Sequence, residues 1–506
     1  MKLTRLVTVI FKNSPCFSHQ NGLMGVSSYS SKTTTSSTTT TRIRKPWTWS
    51  GSMHDLYRRI SPVGDPTASI VPILNQWVAE GRNVHRDQMY VFIREFRYYK
   101  RYTHALQLSM WMTDKMYFKL TSRDICLRLD LIAKVHGIEQ SESYFNNIPL
   151  QLRCLEVYSA LFNCYARVKS VEKAEAVLQK MRDLGLARTT LTFNVLLNLY
   201  YETGNYEKVD NVMQEMEAKG ISFDKYTYTI RFNAYSSASD IEGMDKILAS
   251  MECDPNVVLD WTAYASVANG YAKAGLTEKA LAMLKKSEGL ITTSKKRSVA
   301  YNFLLTQYAA IGKKDEVLRL WEDYQKKVKV LNQGYISLIP SLLKFDDIEK
   351  VEKIFEEWES RNLAYDIRIP NLFIGACCRK GLLAKAEALV NRVMSNGGKP
   401  DAFTWYYLAT GYLQSNQTPK AVEMLKEAIT ACKPRWKPNR ELIITCLDYL
   451  KREGDLEGAG KLIRLLRAKD IVSSDVQERL LNYMKNENSN LDALSVSFDD
   501  AVVENE

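Results

Sequence analysis

Cysteine and histidine are the side chains of this chain best suited to bind a metal or attack a substrate. The nine cysteines are scattered singly, apart from the adjacent pair Cys377 and Cys378, and no C-x-x-C spacing occurs. This pattern indicates neither a zinc site nor a disulfide framework. All five histidines fall within the first 136 residues, Asp499 and Asp500 are isolated, and no glycine-rich phosphate-binding motif appears. We therefore expect no catalytic residue, no cofactor and no metal, and predict that the protein is not an enzyme.

Lysine and arginine recur along the chain at intervals close to multiples of 35 residues. The five cations concerned are Arg167, Lys273, Lys344, Arg379 and Arg452. The corresponding places in between hold Glu202, Ser237, Ala310 and Gln414. A row of cations on one face can follow a phosphate backbone. Of the net charge of +11, the first 54 residues carry +7 and the last 21 carry −6, which leaves +10 for the body. This mild excess favours a polyanionic partner.

The elements that carry these cations form an internal repeat. An aromatic residue, which we call the anchor, stands near the start of successive units at Tyr158, Phe193, Tyr228, Tyr264, Tyr301, Tyr335 and Trp405, with Pro370 and Ile443 in the equivalent place of two further units. Sixteen residues after each anchor stands a small or medium-sized apolar residue: Ala174, Val209, Met244, Ala280, Val317, Val351, Ala386, Ala421 and Ala459. Two tracks in one register predict a repeat array.

Each unit contains two stretches of helical periodicity. Tyr158–Tyr165 and Val171–Met181 both carry apolar residues at i, i+3, i+4 and i+7 or close to it. A glycine separates the two stretches in five units, at Gly204, Gly275, Gly312, Gly381 and Gly454. Single hairpins of this length cannot bury their apolar faces, so they stack. The sequence predicts an all-α fold, a right-handed superhelical α-solenoid of helix-turn-helix repeats.

The composition suggests five regions. We predict a disordered transit peptide at 1–45, a helical lead-in at 55–85, repeats over 86–470 that are clear from 155, a capping helix at 471–486 and a disordered acidic tail at 487–506. The first 50 residues contain basic, Ser and Thr side chains but no acidic ones, with a leading amphipathic stretch, as organellar transit peptides do. A secretory signal is the competing interpretation, although Thr4, Arg5 and Thr8 interrupt its apolar run. The leading helix favours the mitochondrion, with the chloroplast as the alternative.

The repeat resembles a known family through the residues at its ends. Units begin with Thr192-Phe193-Asn194 or Ala300-Tyr301-Asn302, and end with sequences such as Lys219-Gly220-Ile221-Ser222-Phe223-Asp224 or Gly397-Gly398-Lys399-Pro400-Asp401. Tetratricopeptide repeats keep a strict 34-residue period, whereas these units vary from 34 to 38. The chain is identified as resembling the pentatricopeptide repeat family over roughly 86–470, in its P class of plant mitochondrial type.

The resemblance implies that each repeat reads one RNA base with two residues, the one just after the anchor and the last of the repeat. Asn194 with Asp224 and Asn371 with Asp401 resemble uracil-preferring pairs, and Thr229 with Asp260 resembles a guanine-preferring pair. Ser159 with Thr189 and Asn302 with Leu331 are half-matches. The remaining pairs depart from the pattern, namely Ala265 with Arg297, Ile336 with Asp366, Tyr406 with Asn439, and Ile444. The alternative is that these Asn and Asp residues simply cap helices.

The leading functional hypothesis is a non-catalytic protein that binds single-stranded organellar RNA and acts in transcript stabilisation, processing or translation. The five cations would then contact RNA phosphates. An alternative is a structural component of the mitochondrial ribosome or another ribonucleoprotein, which the departures from the reading pattern favour. We expect a monomer and no membrane contact.

Overall fold

The computed structural model describes residues 51–65, 67–114, 118–361, 363–433 and 436–485. The predicted transit peptide (1–45) and acidic tail (487–506) lie outside these residues. Over the described ranges the chain forms α-helices and two short 3-10 turns, without β-strands. The predicted all-α repeat solenoid is therefore confirmed. None of the helices in these ranges is both long enough and apolar enough to cross a bilayer.

The chain divides into two compact units, residues 1–112 and 113–506. The first unit contains three helices and most of a fourth: α1 (Gly51–Ile60), α2 (Val71–Ala79), α3 (Arg86–Tyr98) and α4 (Tyr102–Asp114). Its core consists of apolar side chains that are almost fully buried, among them Leu56, Ile60, Leu74, Trp77, Met89, Phe92, Phe96, Ala105 and Leu108.

The second unit is a succession of helical hairpins closed by a single helix. The hairpins are α5 (Ser122–Val135) with α6 (Ile138–Asn146), α7 (Leu155–Arg167) with α8 (Val171–Asp183), α9 (Thr190–Glu202) with α10 (Tyr206–Ala218), α11 (Lys225–Ser237) with α12 (Ile241–Cys253), α13 (Trp261–Lys273) with α14 (Thr277–Gly289), α15 (Arg297–Ala310) with α16 (Lys314–Lys327), α17 (Asn332–Leu343) with α18 (Ile348–Ser360), α19 (Arg368–Arg379) with α20 (Leu383–Ser395), α21 (Ala402–Gln414) with α22 (Thr418–Thr430), and α23 (Arg440–Arg452) with α24 (Leu456–Ala468). The closing helix is α25 (Ser474–Lys485), which buries Val476 and Leu480.

The turn inside each hairpin has the same backbone conformation from α7/α8 to α23/α24. Eleven residues after every anchor the backbone φ is positive, as it is at many helix C-termini. Five of these nine positions are glycine, with φ between 72° and 77°. The other four hold non-glycine residues with φ between 57° and 63°: Lys169, Ser239, Asp346 and Asn416. The turn is thus left-handed whichever residue occupies it.

The apolar track sixteen residues after the anchors lies at the centre of the stack. All nine of its residues, from Ala174 to Ala459, are at most 1% exposed. The core of the second unit is continuous, because single helices contribute to neighbouring clusters. Helix α11 supplies Tyr228 and Phe232 to one cluster and Ile230 to the preceding one. The hairpins are therefore stabilised by their neighbours, as expected for a solenoid.

Tyrosine, carboxylate and lysine side chains also connect neighbouring hairpins. The Tyr200 hydroxyl donates to Glu175 Oε1 at 2.5 Å, and Lys208 Nζ donates to the same oxygen at 2.8 Å. Glu175 lies on α8, whereas its partners lie on α9 and α10, so the contact joins consecutive repeats. Tyr271 and Lys279 contact Asp245 in the same way two repeats further along.

Acid is expected to weaken this connection. Hydrogen bonds from Lys208 and from Tyr200 hold the pKa of Glu175 below its usual value. A carboxyl with a depressed folded-state pKa adds stability above its unfolded pKa of about 4.3 and loses it as the pH falls through the folded value. We expect the thermal midpoint of the wild type to fall more steeply from about pH 6 to about pH 3 than that of Glu175→Gln, measured by circular dichroism. Equal slopes would show that Glu175 does not contribute.

Candidate nucleic-acid interface

The first helices of successive hairpins pack side by side from α5 to α21 and form a continuous layer. Residues one, five and nine positions after the anchor are four residues apart, so they share one stripe of each first helix. We call the surface made by these stripes the first-helix face. It carries the predicted phosphate-contacting positions and the first residue of every predicted base-contacting pair.

Asn194 belongs to a hydrogen-bonded group on this face. Its Nδ2 donates to Asp224 Oδ1 at 2.9 Å, and its Oδ1 accepts from the Thr227 hydroxyl at 2.8 Å. Asp224 is also the N-cap of α11, where its Oδ1 accepts the backbone N–H groups of Tyr226 and Thr227. The two residues predicted to read a base are thus joined directly. We call Asn194, Asp224 and Thr227 the first clamp.

Asn371 belongs to an equivalent group five repeats further along. Its Nδ2 donates to Asp401 Oδ1 at 2.9 Å, and its Oδ1 accepts from the Thr404 hydroxyl at 2.7 Å. Asp401 caps α21 through the N–H groups of Phe403 and Thr404. We call Asn371, Asp401 and Thr404 the second clamp. The same three residue types therefore make the same contacts at both places.

Burial differs between the amide and the carboxylate of each clamp. Asn194 is 1% exposed and Asn371 is 5% exposed, whereas both aspartates are half-buried. Within the described residues, Oδ1 of each aspartate accepts all of that carboxylate's hydrogen bonds and Oδ2 accepts none. An asparagine amide carries two N–H groups, of which the aspartate takes one. Each clamp thus has one free carboxylate oxygen and one remaining amide N–H.

Thr229 and Asp260, the predicted guanine-type pair, are arranged differently. The Thr229 hydroxyl donates to the backbone carbonyl of Lys225, within its own helix, at 2.6 Å. Asp260 caps α13 through one carboxylate oxygen, and Lys225 forms an ion pair with the other. Because the lysine occupies the oxygen that is free in the clamps, this repeat presents no equivalent acceptor. Burial and this ion pair oppose each other on Asp260, and its pKa lies below the usual value.

Asn302 has the amide of a clamp without its partners. The residues that correspond to the clamp aspartate and threonine are Leu331 and Gly334, neither of which has a polar side chain. Asn302 is 7% exposed, and its Oδ1 is buried without a hydrogen-bond partner among the described residues. Glycine is required at 334 because a Cβ there would lie 2.6 Å from Val330 Cγ1. Close packing has therefore removed the hydroxyl, and the exposed Leu331 has replaced the carboxylate.

Ser159 and Thr189, the other half-match, are both half-buried. Thr189 caps α9 by accepting from the Thr192 N–H at 3.3 Å. No side-chain hydrogen bond joins Ser159 to Thr189 in the part of the chain that the structure describes. This repeat therefore supplies two separate hydroxyl groups rather than a clamp.

The five predicted phosphate-contacting cations have different surroundings. Arg167 pairs with Asp130 of the preceding hairpin, and Arg452 pairs with Asp448 on its own helix. Partial burial lowers the pKa of Lys344. Lys273 and Arg379 are exposed and form no ion pair with any described residue. These last two are the cations of the row best placed to bind an external phosphate.

Sequence reasoning did not identify the threonines that complete the clamps. Thr227 and Thr404 stand immediately before the anchors Tyr228 and Trp405, and that shared position was the available signal. A second omission is a row of asparagines five residues after four consecutive anchors: Asn163, Asn198, Asn233 and Asn269. All four are half-buried on the first-helix face. They extend the polar stripe between the base-reading and cation positions.

Metal chemistry finds no support at this face. Among the described residues, no group of three or more His, Cys, Asp or Glu side chains is placed to hold a metal ion. The exposed side chains two residues before the anchors are apolar or aromatic in four repeats: Leu191, Tyr226, Val299 and Phe403. Flat or branched apolar groups beside hydrogen-bonding groups suit the stacking and reading of unpaired bases.

Comparison with known proteins agrees with this arrangement. Models described as PPR repeat family, pentatricopeptide repeat domain and PPR repeat match residues 188–237, 155–203, and 262–289 with 370–398, respectively. A mitochondrial pentatricopeptide repeat-containing protein of Arabidopsis thaliana is 45% identical over 83% of this chain and 86% of its own length. The large ribosomal subunit protein mL101 of the same plant is 40% identical over 84% of this chain and 87% of its own.

Among solved structures, the pentatricopeptide repeat protein PPR10 from maize matches with a TM-score of 0.50 and 16% identity. The match covers 82% of this chain and 62% of the maize chain, and it concerns the fold alone. The assignment rests instead on the relatives, which share at least 40% of their residues over more than four fifths of both chains. The chain belongs to the pentatricopeptide repeat family of RNA-binding repeat proteins.

Proposed function

We propose that the chain binds single-stranded RNA along the first-helix face and reads base identity at the two clamps. The observation that carries this proposal is that the same three residues form the same hydrogen bonds at two places five repeats apart. Capping alone would need only the aspartate, since Asp260 caps α13 without an asparagine partner. The additional amide, held with one N–H unused, is a group that a ligand can bind.

The free carboxylate oxygen of each clamp favours a base with an N–H donor on its Watson–Crick edge. Uracil and guanine carry such an imino N–H beside a carbonyl oxygen, whereas adenine and cytosine carry an acceptor nitrogen there. The remaining amide N–H of the clamp can donate to that carbonyl. Uracil is the smaller of the two candidates and is the base that the family resemblance implies for Asn with Asp. We propose uracil at both clamps.

The separation of the clamps predicts a spacing in the RNA. If each repeat takes one base, five repeats place the two uracils with four other nucleotides between them. Selection of bound sequences from a random single-stranded pool by the full chain tests this spacing. We expect two enriched uridines, each worth about 1–3 kcal/mol of discrimination on the scale of base contacts in DNA. Enrichment without this spacing would contradict the proposal.

Substitution of one clamp amide should affect one of these uridines. Asn371→Ala is expected to remove the preference at one position and leave the other unchanged, as measured by repeating the selection. The matched control is Ile336→Ala, at the same place in the neighbouring repeat, where the aliphatic side chain cannot form a hydrogen bond. We expect that control to select the wild-type sequence. A change of preference in both variants would show that the selection responds to packing.

Salt dependence tests the cation row. Each single-strand phosphate contact contributes about 0.7 to the slope of log K against log salt, so five contacts give about −3 to −4. We expect Lys273→Ala with Arg379→Ala to make the slope shallower by about 1.4. Lys380→Ala is the control, because Lys380 pairs with Asp346 and lies outside the row. An unchanged slope in the double variant would remove both cations from the interface.

We further propose that the protein acts in mitochondria, with 1–45 as its transit peptide, 86–470 as the RNA-binding array and 471–486 as its cap. The acid-free leader and a relative named as mitochondrial support this location. Import of the full chain and of a chain lacking 1–45 into isolated mitochondria and chloroplasts tests it. We expect uptake by mitochondria of the full chain only.

A second candidate function is a component of the mitochondrial ribosome. The observation that favours it is the 40% identity to a large ribosomal subunit protein. Repeats that lack a hydrogen-bonding side chain after the anchor, such as those of Ile336 and Ile444, fit a protein that does not read a long sequence. Co-sedimentation with a ribosomal subunit after a stringent salt wash would support this function over transcript reading.

A further inference from the structure

We propose that Tyr98 and Tyr99 form a second RNA-contacting surface, which takes an unpaired base on a tyrosine ring and its phosphate on neighbouring cations. The two side chains are 71% and 59% exposed, and their ring centroids lie 5.0 Å apart at 87°. This surface is in the first unit, apart from both clamps. The inference rests on the proposed RNA-binding function and extends it to residues outside the clear repeats.

The register of α3 and α4 places Tyr98 at a position where later repeats carry cations. Lys100 has a positive φ of 57°, as do the residues eleven positions after the anchors, and Ala105 is fully buried like the apolar track. Both marks assign the anchor position to Met89. Tyr98 then stands nine residues after the anchor, and Arg94 stands five after it. The stripe that carries phosphate-contacting side chains elsewhere thus carries an aromatic ring here.

The charge of this segment favours a polyanion over a protein partner. Four basic residues and one acidic residue, Glu95, lie between 90 and 101. Arg101 is used internally, because its guanidinium donates to the backbone carbonyls of Ile60, Ser61 and Val63 and packs over Phe96. That contact fixes the α3–α4 turn. Arg94 and Lys100 flank the tyrosines and can meet a phosphate, while an exposed ring can stack on any unpaired base.

The test compares alanine and phenylalanine at both tyrosines in the full chain. The probes are a labelled single-stranded RNA of random sequence and a duplex of equal length. We expect Tyr98→Ala with Tyr99→Ala to weaken binding of the single strand by about 5- to 10-fold and to leave duplex binding unchanged. Tyr98→Phe with Tyr99→Phe keeps the rings and should stay within about twofold of the wild type.

A second measurement needs no substitution. Ultraviolet crosslinking of the wild type to the single-stranded probe, followed by mass spectrometry, should identify a nucleotide-bearing peptide that contains Tyr98 and Tyr99. Wild-type affinity of the double alanine variant, with no such peptide, would overturn the inference while the clamps remain. Loss of ribosome co-sedimentation with unchanged RNA affinity would also overturn it, because the surface would then bind protein. A wild type that binds no single-stranded RNA would instead contradict the proposed function itself.

Discussion

Asp224→Ala is expected to lower the free energy of unfolding around α9 to α11 by about 2–4 kcal/mol, since it removes an N-cap and leaves a buried amide N–H without its acceptor. The Asp224 carboxylate accepts from Asn194 Nδ2 and from two backbone N–H groups of α11 at once. Asp401→Ala should cost a similar amount around α19 to α21, because its contacts are the same. Asp224→Asn retains a neutral acceptor and should cost less.

Native-state hydrogen exchange is the appropriate measurement, because repeat arrays open locally rather than in one two-state step. Asp366→Ala is a matched control. Asp366 is also the last residue of its repeat, but the residue after that repeat's anchor is Ile336, and its carboxylate pairs with the exposed Arg368. Such a surface pair contributes about 0–1 kcal/mol. An equal loss at Asp366 and Asp224 would show that the amide contact adds no stability.

Leu331→Asp is expected to stabilise α17 by about 1 kcal/mol and to create a uracil preference where none is expected now. Leu331 has φ −114° and ψ 175°, close to the −124° and 176° of Asp224, so an aspartate can cap α17 without backbone change. Its carboxylate would also meet the amide of Asn302, as in the clamps. The gain in discrimination should be about tenfold, near the lower end of the range for a base contact.

Two variants separate the cap from the base preference. Leu331→Asn can cap the helix but supplies no carboxylate, so it should raise stability without favouring uracil. Leu331→Asp in an Asn302→Ala background should likewise keep the cap and lose the preference. Thermal melting and binding to RNAs that differ at one nucleotide measure the two effects. A uracil preference that persists without Asn302 would contradict the proposed role of the amide.

The fold was largely predictable because the anchor, the turn and the apolar track keep constant separations. The glycine signal identified the turn in five repeats only. At Lys169 and Ser239 the left-handed conformation is imposed by the hairpin itself, since the N–H of Ser170 donates to the Tyr165 carbonyl and that of Asp240 to the Tyr235 carbonyl. No residue preference at 169 or 239 announces this geometry.

The candidate site was predictable in position and less so in its contacts. Helical spacing places Asn194 and Asn371 on the first-helix face, but it does not give their depth, which depends on the next helix and its capping aspartate. The pairing of Arg167 with Asp130 links residues 37 apart in sequence and could not be read from either one. The orphaned Asn302 amide likewise follows from close packing at Gly334, which no local pattern shows.

The left-handed turn has a consequence for how this chain can change length over evolution. The distance from anchor to turn is invariant, so all variation in repeat length, from 34 to 38 residues, falls in the connections between hairpins. One residue gained inside a hairpin would rotate every later side chain of that helix by about 100° and turn its apolar stripe away from the core. One residue gained between Thr430 and Arg440 would leave both hairpins intact. Lineages can thus lengthen or shorten the joints while each hairpin remains a fixed building block.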